Sequence, residues 1–293
     1  MHLVSYLLDG AETLGVLHDG SVRAARALDA TAPATAAELL ADPDAALRTL
    51  RDALSAAAGS FATTGTPLED VRLLAPLPRP TNVICIGRNY REHANEEGQE
   101  PPESPAIFLK TTTSVVAHGS DVTWDPDYTS QVDYEAELAV VIGRTARSVS
   151  PEDALDHVLG YTCLNDVSAR DLQFADLQWS RGKSLDTFCP MGPALVTADE
   201  VGDPQALDVR CLLNGQVVQQ ASTADMYHSV AEIIAYCSRA FTLHPGDVIA
   251  TGTPGGVGIF RDPPLLLQDG DEVVVEVSGV GRLVNHCRTT KDG

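Results

Sequence analysis

Residues Val132 to Gly143, VDYEAELAVVIG, decide how this chain must fold. Leu138–Ile142 is an unbroken apolar run, of the kind carried by strands buried on both faces. Just upstream, Glu135 and Glu137 stand two residues apart. Side chains at i and i+2 of a strand point the same way, so two carboxylates enter the edge of a core side by side. A third acid, Asp166, follows a second strand-like segment, Gly160–Leu164, in GYTCLNDVSARD. No run of lysine or arginine lies near in sequence to pair with the glutamates. Two readings are open: a solvated strand end, or buried like charges that take up protons or bind a cation. On the second reading, three oxygen ligands with no histidine or cysteine beside them suit Mg²⁺ or Mn²⁺, with Ca²⁺ a poorer fit. Such a set leaves about three octahedral positions for water or substrate.

The 293 residues suffice for one large domain, or a large one and a small one. A hydrophobic content of 44% with 21% charged residues is that of a soluble globular protein. The net charge of −21 argues against a nucleic-acid or anionic-membrane surface. The opening MHLVSYLLDG has no basic region and meets Asp9 early, so it does not read as a secretory signal. No window of about 18 uninterrupted apolar residues exists, and a cytoplasmic, non-membrane protein is expected. Six scattered cysteines without a CxxC pair fit reduced, buried thiols.

Residues 1–75 read as a small N-terminal domain. Strand-like runs Leu3–Leu8, Glu12–Leu17 and Ser21–Leu28 are separated by Asp9-Gly10 and Asp19-Gly20 hairpin turns. Helices follow: Thr35 with Glu38 fits a capping box, and Asp42-Pro43 opens an alanine-rich stretch reaching Ala58. The proline-dense Pro76–Pro80 marks the boundary to a second domain, 76–293. There the pattern predicts strands at Asn82–Ile86, Ala106–Leu109, Leu138–Ile142, Ala194–Thr197, Val209–Leu213, Val248–Ala250 and Glu272–Val277. Helices are predicted after Ser150-Pro151 and over Ser229–Ala240. Many strands without regular alternation with helices make the fold class α+β, rich in strands, rather than a doubly wound sheet.

Three further constellations carry chemistry. In GRNYREHANE, His93 and Glu96 are three apart and share a helix face. A carboxylate against an imidazole fixes its tautomer and raises its basicity; an idle surface pair is the alternative. Lys183, in RGKSLDTF, offers a charge for a developing oxyanion or stands exposed. TGTPGGVG, Thr251–Gly258, either forms a nest for a carboxylate or phosphate or is a plain glycine turn.

Together GRNYREHANE, PAIFLK, DYEAELAVVIG, YTCLNDVSARDLQ, RGKSLDTFCPMGP, LNGQVVQ and TGTPGGVG, in this order over Thr81 to about Asn285, resemble the fumarylacetoacetate hydrolase family. The first 75 residues are loosely similar to the small N-terminal domain of many bacterial members. The resemblance implies a mixed β-sandwich roll, a homodimer, and Mg²⁺ or Mn²⁺ held by Glu135, Glu137 and Asp166. It implies His93 and Glu96 as the water-activating dyad, Lys183 beside the substrate oxyanion, Thr253 on a substrate carboxylate, and Arg88, Asn89 and Gly252 around a keto-acid substrate. The activity expected first is hydrolysis of a C–C bond in an acylpyruvate- or fumarylpyruvate-type diketo acid. The alternatives are isomerisation or decarboxylation of a 2-oxo dicarboxylate, as in 2-hydroxyhepta-2,4-diene-1,7-dioate isomerases or oxaloacetate decarboxylases, and a non-catalytic binding protein.

Overall fold

The computed structural model describes residues 1–57, 61–96, 98, 100 and 102–290. Strands β1 (His2–Leu8), β2 (Ala11–His18) and β3 (Ser21–Ala24) form an antiparallel meander through the two Asp-Gly turns. Asp9 and Asp19 hold positive φ at these turns, with a glycine next to each. The run expected to be extended to Leu28 leaves the sheet at Ala24, and Ala25–Leu28 is helical. The reason is packing: Ala25 is fully buried under the helices that follow. The long helix spans Pro43–Ala57, with the Asp42 carboxylate accepting from Ala45 N–H at 3.0 Å. Ala58, its expected end, lies outside the described residues.

The chain continues through β4 (Val83–Gly87), β5 (Ala106–Lys110), β6 (Asp121–Trp124), β7 (Ala136–Ile142) and β8 (Val158–Asn165). Then follow β9 (Cys189–Thr197), β10 (Asp208–Leu213), β11 (Gln216–Ser222), β12 (Val248–Ala250), β13 (Glu272–Val277) and β14 (Gly281–Thr289). The large sheet runs β3-β2-β1-β9-β8-β7-β12-β4-β5, and a second sheet runs β11-β10-β13-β14-β6. The N-terminal strands thus extend the large sheet through β1 and β9, with His2 opposite Val196.

β7 is central, and its apolar run is explained by both its faces. Leu138, Val140 and Ile142 pack with Val209, Cys211, Val273 and Val275 of the second sheet. Ala139 and Val141 pack with Leu14, Leu47 and Leu50 of the N-terminal segment. Every residue of β7 is buried. The helix Val230–Ala240 closes one flank. Its Ser229 cap accepts from Glu232 N–H, and Glu232 accepts from Ser229 N–H. The fold is a strand-rich α+β architecture. All six cysteines are buried and free. Among the described residues, no helix is long and apolar enough to cross a membrane.

The registers place the site. β7 is antiparallel to β8 and to β12, and β12 is parallel to β4. The N-terminal end of β7 therefore lies beside the C-terminal ends of β8, β12 and β4. Those ends lead into Asp166, the glycine loop from Thr251 and the segment Arg88–Glu96.

Candidate active and metal site

Ala136 pairs with Asn165, which sets Glu135 and Glu137 against Asp166. Asp166 N–H donates to the Glu135 carbonyl at 2.9 Å, and Glu135 N–H donates to the Asn165 side chain at 3.0 Å. One carboxylate oxygen of each of Glu135, Glu137 and Asp166 lies within 4.8 Å of the others, and all three residues are buried. The solvated strand end is thereby excluded, and the i, i+2 reading of the glutamates holds.

The question of what neutralises these acids has an answer that local sequence hid. Three cations arrive from distant segments. Lys183 Nζ lies 2.7 Å from Glu135 Oε2 and 3.0 Å from Asp166 Oδ2. Lys110 Nζ lies 2.5 Å from Asp166 Oδ1. Arg170 bridges Asp133, at 2.9 Å through Nε, and Glu135 Oε1, at 2.7 Å. Asp133 also accepts from Gly258 and Ile259 N–H, tying the glycine loop to the same cluster. Four buried carboxylates face three buried cations, so one negative charge is left over. It falls on Glu137, whose single hydrogen bond among the described residues comes from Gly252 N–H at 2.7 Å.

The electrostatics follow this count. Burial pushes the Glu137 carboxyl well above its usual range, and the charges of Asp166 and Glu135 add to the push. Burial would do the same to Glu135, but Lys183 and then Arg170 outweigh it and hold that carboxyl low. Burial would discharge Lys183, yet Asp166 and Glu135 raise it, so the ammonium stays charged.

His93 sits on the helix Arg91–Glu96, with Nδ1 3.7 Å from Glu96 Oε2. Glu96 Oε1 accepts from Gly256 N–H at 2.7 Å, which fixes the carboxylate against the glycine loop. A cavity joins His93, Glu135, Lys183, Thr253 and Arg88, with Arg170, Gln173, Phe108 and Trp179 completing its wall. His93, Glu135, Lys183 and Arg170 thus share one chamber. Arg88, at φ +58°, lays its guanidinium 5.3 Å from the Trp179 ring. Trp179 packs so closely on Gly87 that a Cβ there would stand 2.6 Å from the ring.

Two residues expected around the substrate have other work. The Asn89 amide donates to Thr251 O and His228 O and accepts from His228 N–H, so it frames the loops. Gly252 uses its N–H on Glu137, and a side chain at its φ of +100° would strike Asn89. Conversely, Lys110, Asp133, Arg170 and Gln173 were not picked out from sequence. Lys110 ends PAIFLK and Arg170 lies in SARD, but nothing in their spacing reveals the carboxylates they meet.

The donor set fits a hard divalent cation. It consists of three buried carboxylates with oxygen ligands only, of which one lacks a counter-charge. The family model for the fumarylacetoacetate (FAA) hydrolase C-terminal region matches residues 82–288. The chain belongs to the fumarylacetoacetate hydrolase family. Within that family it is 43% identical, over 268 residues, to the human mitochondrial oxaloacetate tautomerase FAHD2A, covering 91% of this chain and 83% of that protein. It is 48% identical over 221 residues to the oxaloacetate tautomerase YisK of Bacillus subtilis, covering 74% and 73%. A solved structure of maleylpyruvate hydrolase from Sphingobium sp. SYK-6, in complex with manganese(II) and pyruvate, superposes with a TM-score of 0.81 at 32% identity, covering 99% of this chain and all of that one. Members of the fumarylacetoacetate hydrolase family with this likeness therefore include isomerising and hydrolysing enzymes.

Proposed function

We propose that this protein is a divalent-metal-dependent tautomerase of oxaloacetate-type 2-oxo dicarboxylic acids, rather than the C–C hydrolase that its sequence first suggests. The observation that carries this is one chamber lined by both a base, His93, and Glu135, whose carboxylate clusters with those of Glu137 and Asp166. Tautomerisation moves one proton between a carbon and an oxygen. It needs a base and a stabilised enolate and no second substrate. The similarity to two oxaloacetate tautomerases supports the same reading.

Glu135, Glu137 and Asp166 would hold Mg²⁺ or Mn²⁺, which when bound supplies Lewis-acid polarisation of the keto oxygen. The other roles belong to the chain. Glu96, fixed by Gly256, stands 3.7 Å from His93 Nδ1; closing that gap when substrate binds would hold the proton on Nδ1 and leave Nε2 as base. His93 takes the proton from the carbon between keto and carboxyl groups and delivers it to the enolate oxygen, and the reverse path runs the same transfer backwards. Lys183, kept charged by its two carboxylates, offsets the negative charge that develops on oxygen. Thr253 and Arg88 hold the substrate in place, and Trp179 keeps bulk water out.

The test follows the enol absorbance of oxaloacetate with metal-free protein, then with Mn²⁺ restored, against Mn²⁺ alone. Acceleration that needs both protein and Mn²⁺ is expected; none above Mn²⁺ alone would refute the proposal. A second reading, hydrolysis of an acylpyruvate, is favoured by the likeness to a maleylpyruvate hydrolase. It predicts pyruvate release from acylpyruvates, measured by a coupled dehydrogenase.

A further inference from the structure

Gln219 lies in β11, outside the cation–carboxylate cluster, and is buried. Its side chain joins two parts of the site. Its Oε1 accepts from Ala136 N–H at 2.9 Å, the backbone position between Glu135 and Glu137. Its Nε2 donates to Thr253 Oγ1 at 2.8 Å and to the Pro254 carbonyl at 2.9 Å. The orientation of this amide is unambiguous. A backbone N–H can only donate and a backbone carbonyl can only accept, so the oxygen must face Ala136 and the nitrogen must face Pro254. Both amide hydrogens are thereby assigned, and one goes to Thr253.

The consequence falls on Thr253. A hydroxyl has one proton and two lone pairs. With one lone pair engaged by Gln219, its proton points elsewhere, and among the described residues no protein acceptor receives it. Thr253 lines the chamber beside Glu135, Lys183 and Arg170. From this we infer that Gln219 is a positioning residue that makes Thr253 a one-way hydrogen-bond donor into the chamber, so that this wall selects a group that only accepts, a carboxylate. Because Gln219 also grips Ala136, the donor is held in register with the two glutamates. This inference rests on the proposed reading that Thr253 faces the substrate.

The test is a double-mutant cycle on Gln219 and Thr253, read by oxalate binding to Mn²⁺-loaded protein in a calorimeter and by KM and kcat for oxaloacetate. In the Gln219→Glu variant the new carboxylate can accept from Ala136 but cannot donate to Thr253. The threonine proton then turns toward it and away from the chamber. Oxalate affinity should fall about tenfold or more, as for loss of a hydrogen bond to a charged group, and KM should rise by a similar factor while kcat falls much less. Thr253→Val should cost a similar factor. Adding Gln219→Glu to Thr253→Val should cost much less than Gln219→Glu costs alone, because the part of its effect that passes through the hydroxyl is already gone. Equal losses with and without the threonine hydroxyl would overturn the inference, as would unchanged affinity in either single variant. Gln219→Met, near in shape and uncharged, replaces Gln219→Glu in the cycle if that chain does not fold, with the same criterion. If oxaloacetate is not turned over by the unaltered protein while the oxalate cycle behaves as stated, the proposed reaction fails and the role of Gln219 stands.

Discussion

Replacing Glu137 with glutamine should stabilise the metal-free protein while weakening its hold on a divalent cation. Four buried carboxylates meet three buried cations, and Glu137 is the acid left with a backbone donor alone. A buried ionised group without a counter-charge costs several kcal/mol, and one N–H donor recovers a part of that. Glutamine keeps an acceptor for Gly252 N–H and offers two donors to the neighbouring carboxylates. The gain should be on the order of 2 kcal/mol at neutral pH. For a chain of this size that is roughly 4–8 °C in melting temperature. The sign with pH follows from the raised carboxyl of Glu137. A group whose folded-state pKa lies above its unfolded value contributes stability at low pH and loses it as pH rises through the folded value. The stability difference between the two proteins should thus be widest at high pH and close as the solution is acidified. Thermal melts in chelator across this range, with a parallel Mn²⁺ titration, provide the assay. A lower melting temperature for metal-free Glu137→Gln at neutral pH would show that Glu137 is already compensated and that the charge count is wrong.

Other changes probe separate links. Lys183→Met removes the counter-charge of Glu135 and Asp166 and should cost about 3–5 kcal/mol in chelator, with Mn²⁺ restoring more of the melting temperature than it adds to the unaltered protein. His93→Ala should slow tautomerisation about a hundredfold or more and leave Mn²⁺ affinity unchanged, since the imidazole is not among the ligating groups; stopped-flow absorbance and calorimetry check the two halves. Leu138→Ala, at a fully buried position of the central strand, should cost about 2–5 kcal/mol in urea unfolding, and a loss well below 1 kcal/mol would contradict the two-sided packing of β7.

How far the sequence speaks for itself depends on the range of the interaction. The apolar run of β7 is legible because both its faces meet apolar layers, and the Asp-Gly turns are legible because their chemistry is local. The i, i+2 spacing of Glu135 and Glu137 also survives into the structure, since it depends only on strand geometry. The strand predicted over Ala194–Thr197 begins earlier, at Cys189, with proline tolerated near the start of β9. The partners of the acids are what local reading misses. Lys110 and Asp166 are 56 residues apart, and Lys183 and Glu135 are 48 apart. Only the sheet order brings them together, so a search for nearby lysine runs finds none. Gln219 is hidden for the same reason: its partners, Ala136, Thr253 and Pro254, are far from it in sequence.

The central claim is that Glu135, Glu137 and Asp166 together hold one hard divalent ion. Titrating metal-free protein with Mn²⁺, followed by the loss of free-ion paramagnetic resonance signal, tests it directly. One ion per chain is expected, with binding weakened at least tenfold by Asp166→Asn in a protein that remains folded. Equal Mn²⁺ uptake by the unaltered protein and the Asp166→Asn variant would contradict it.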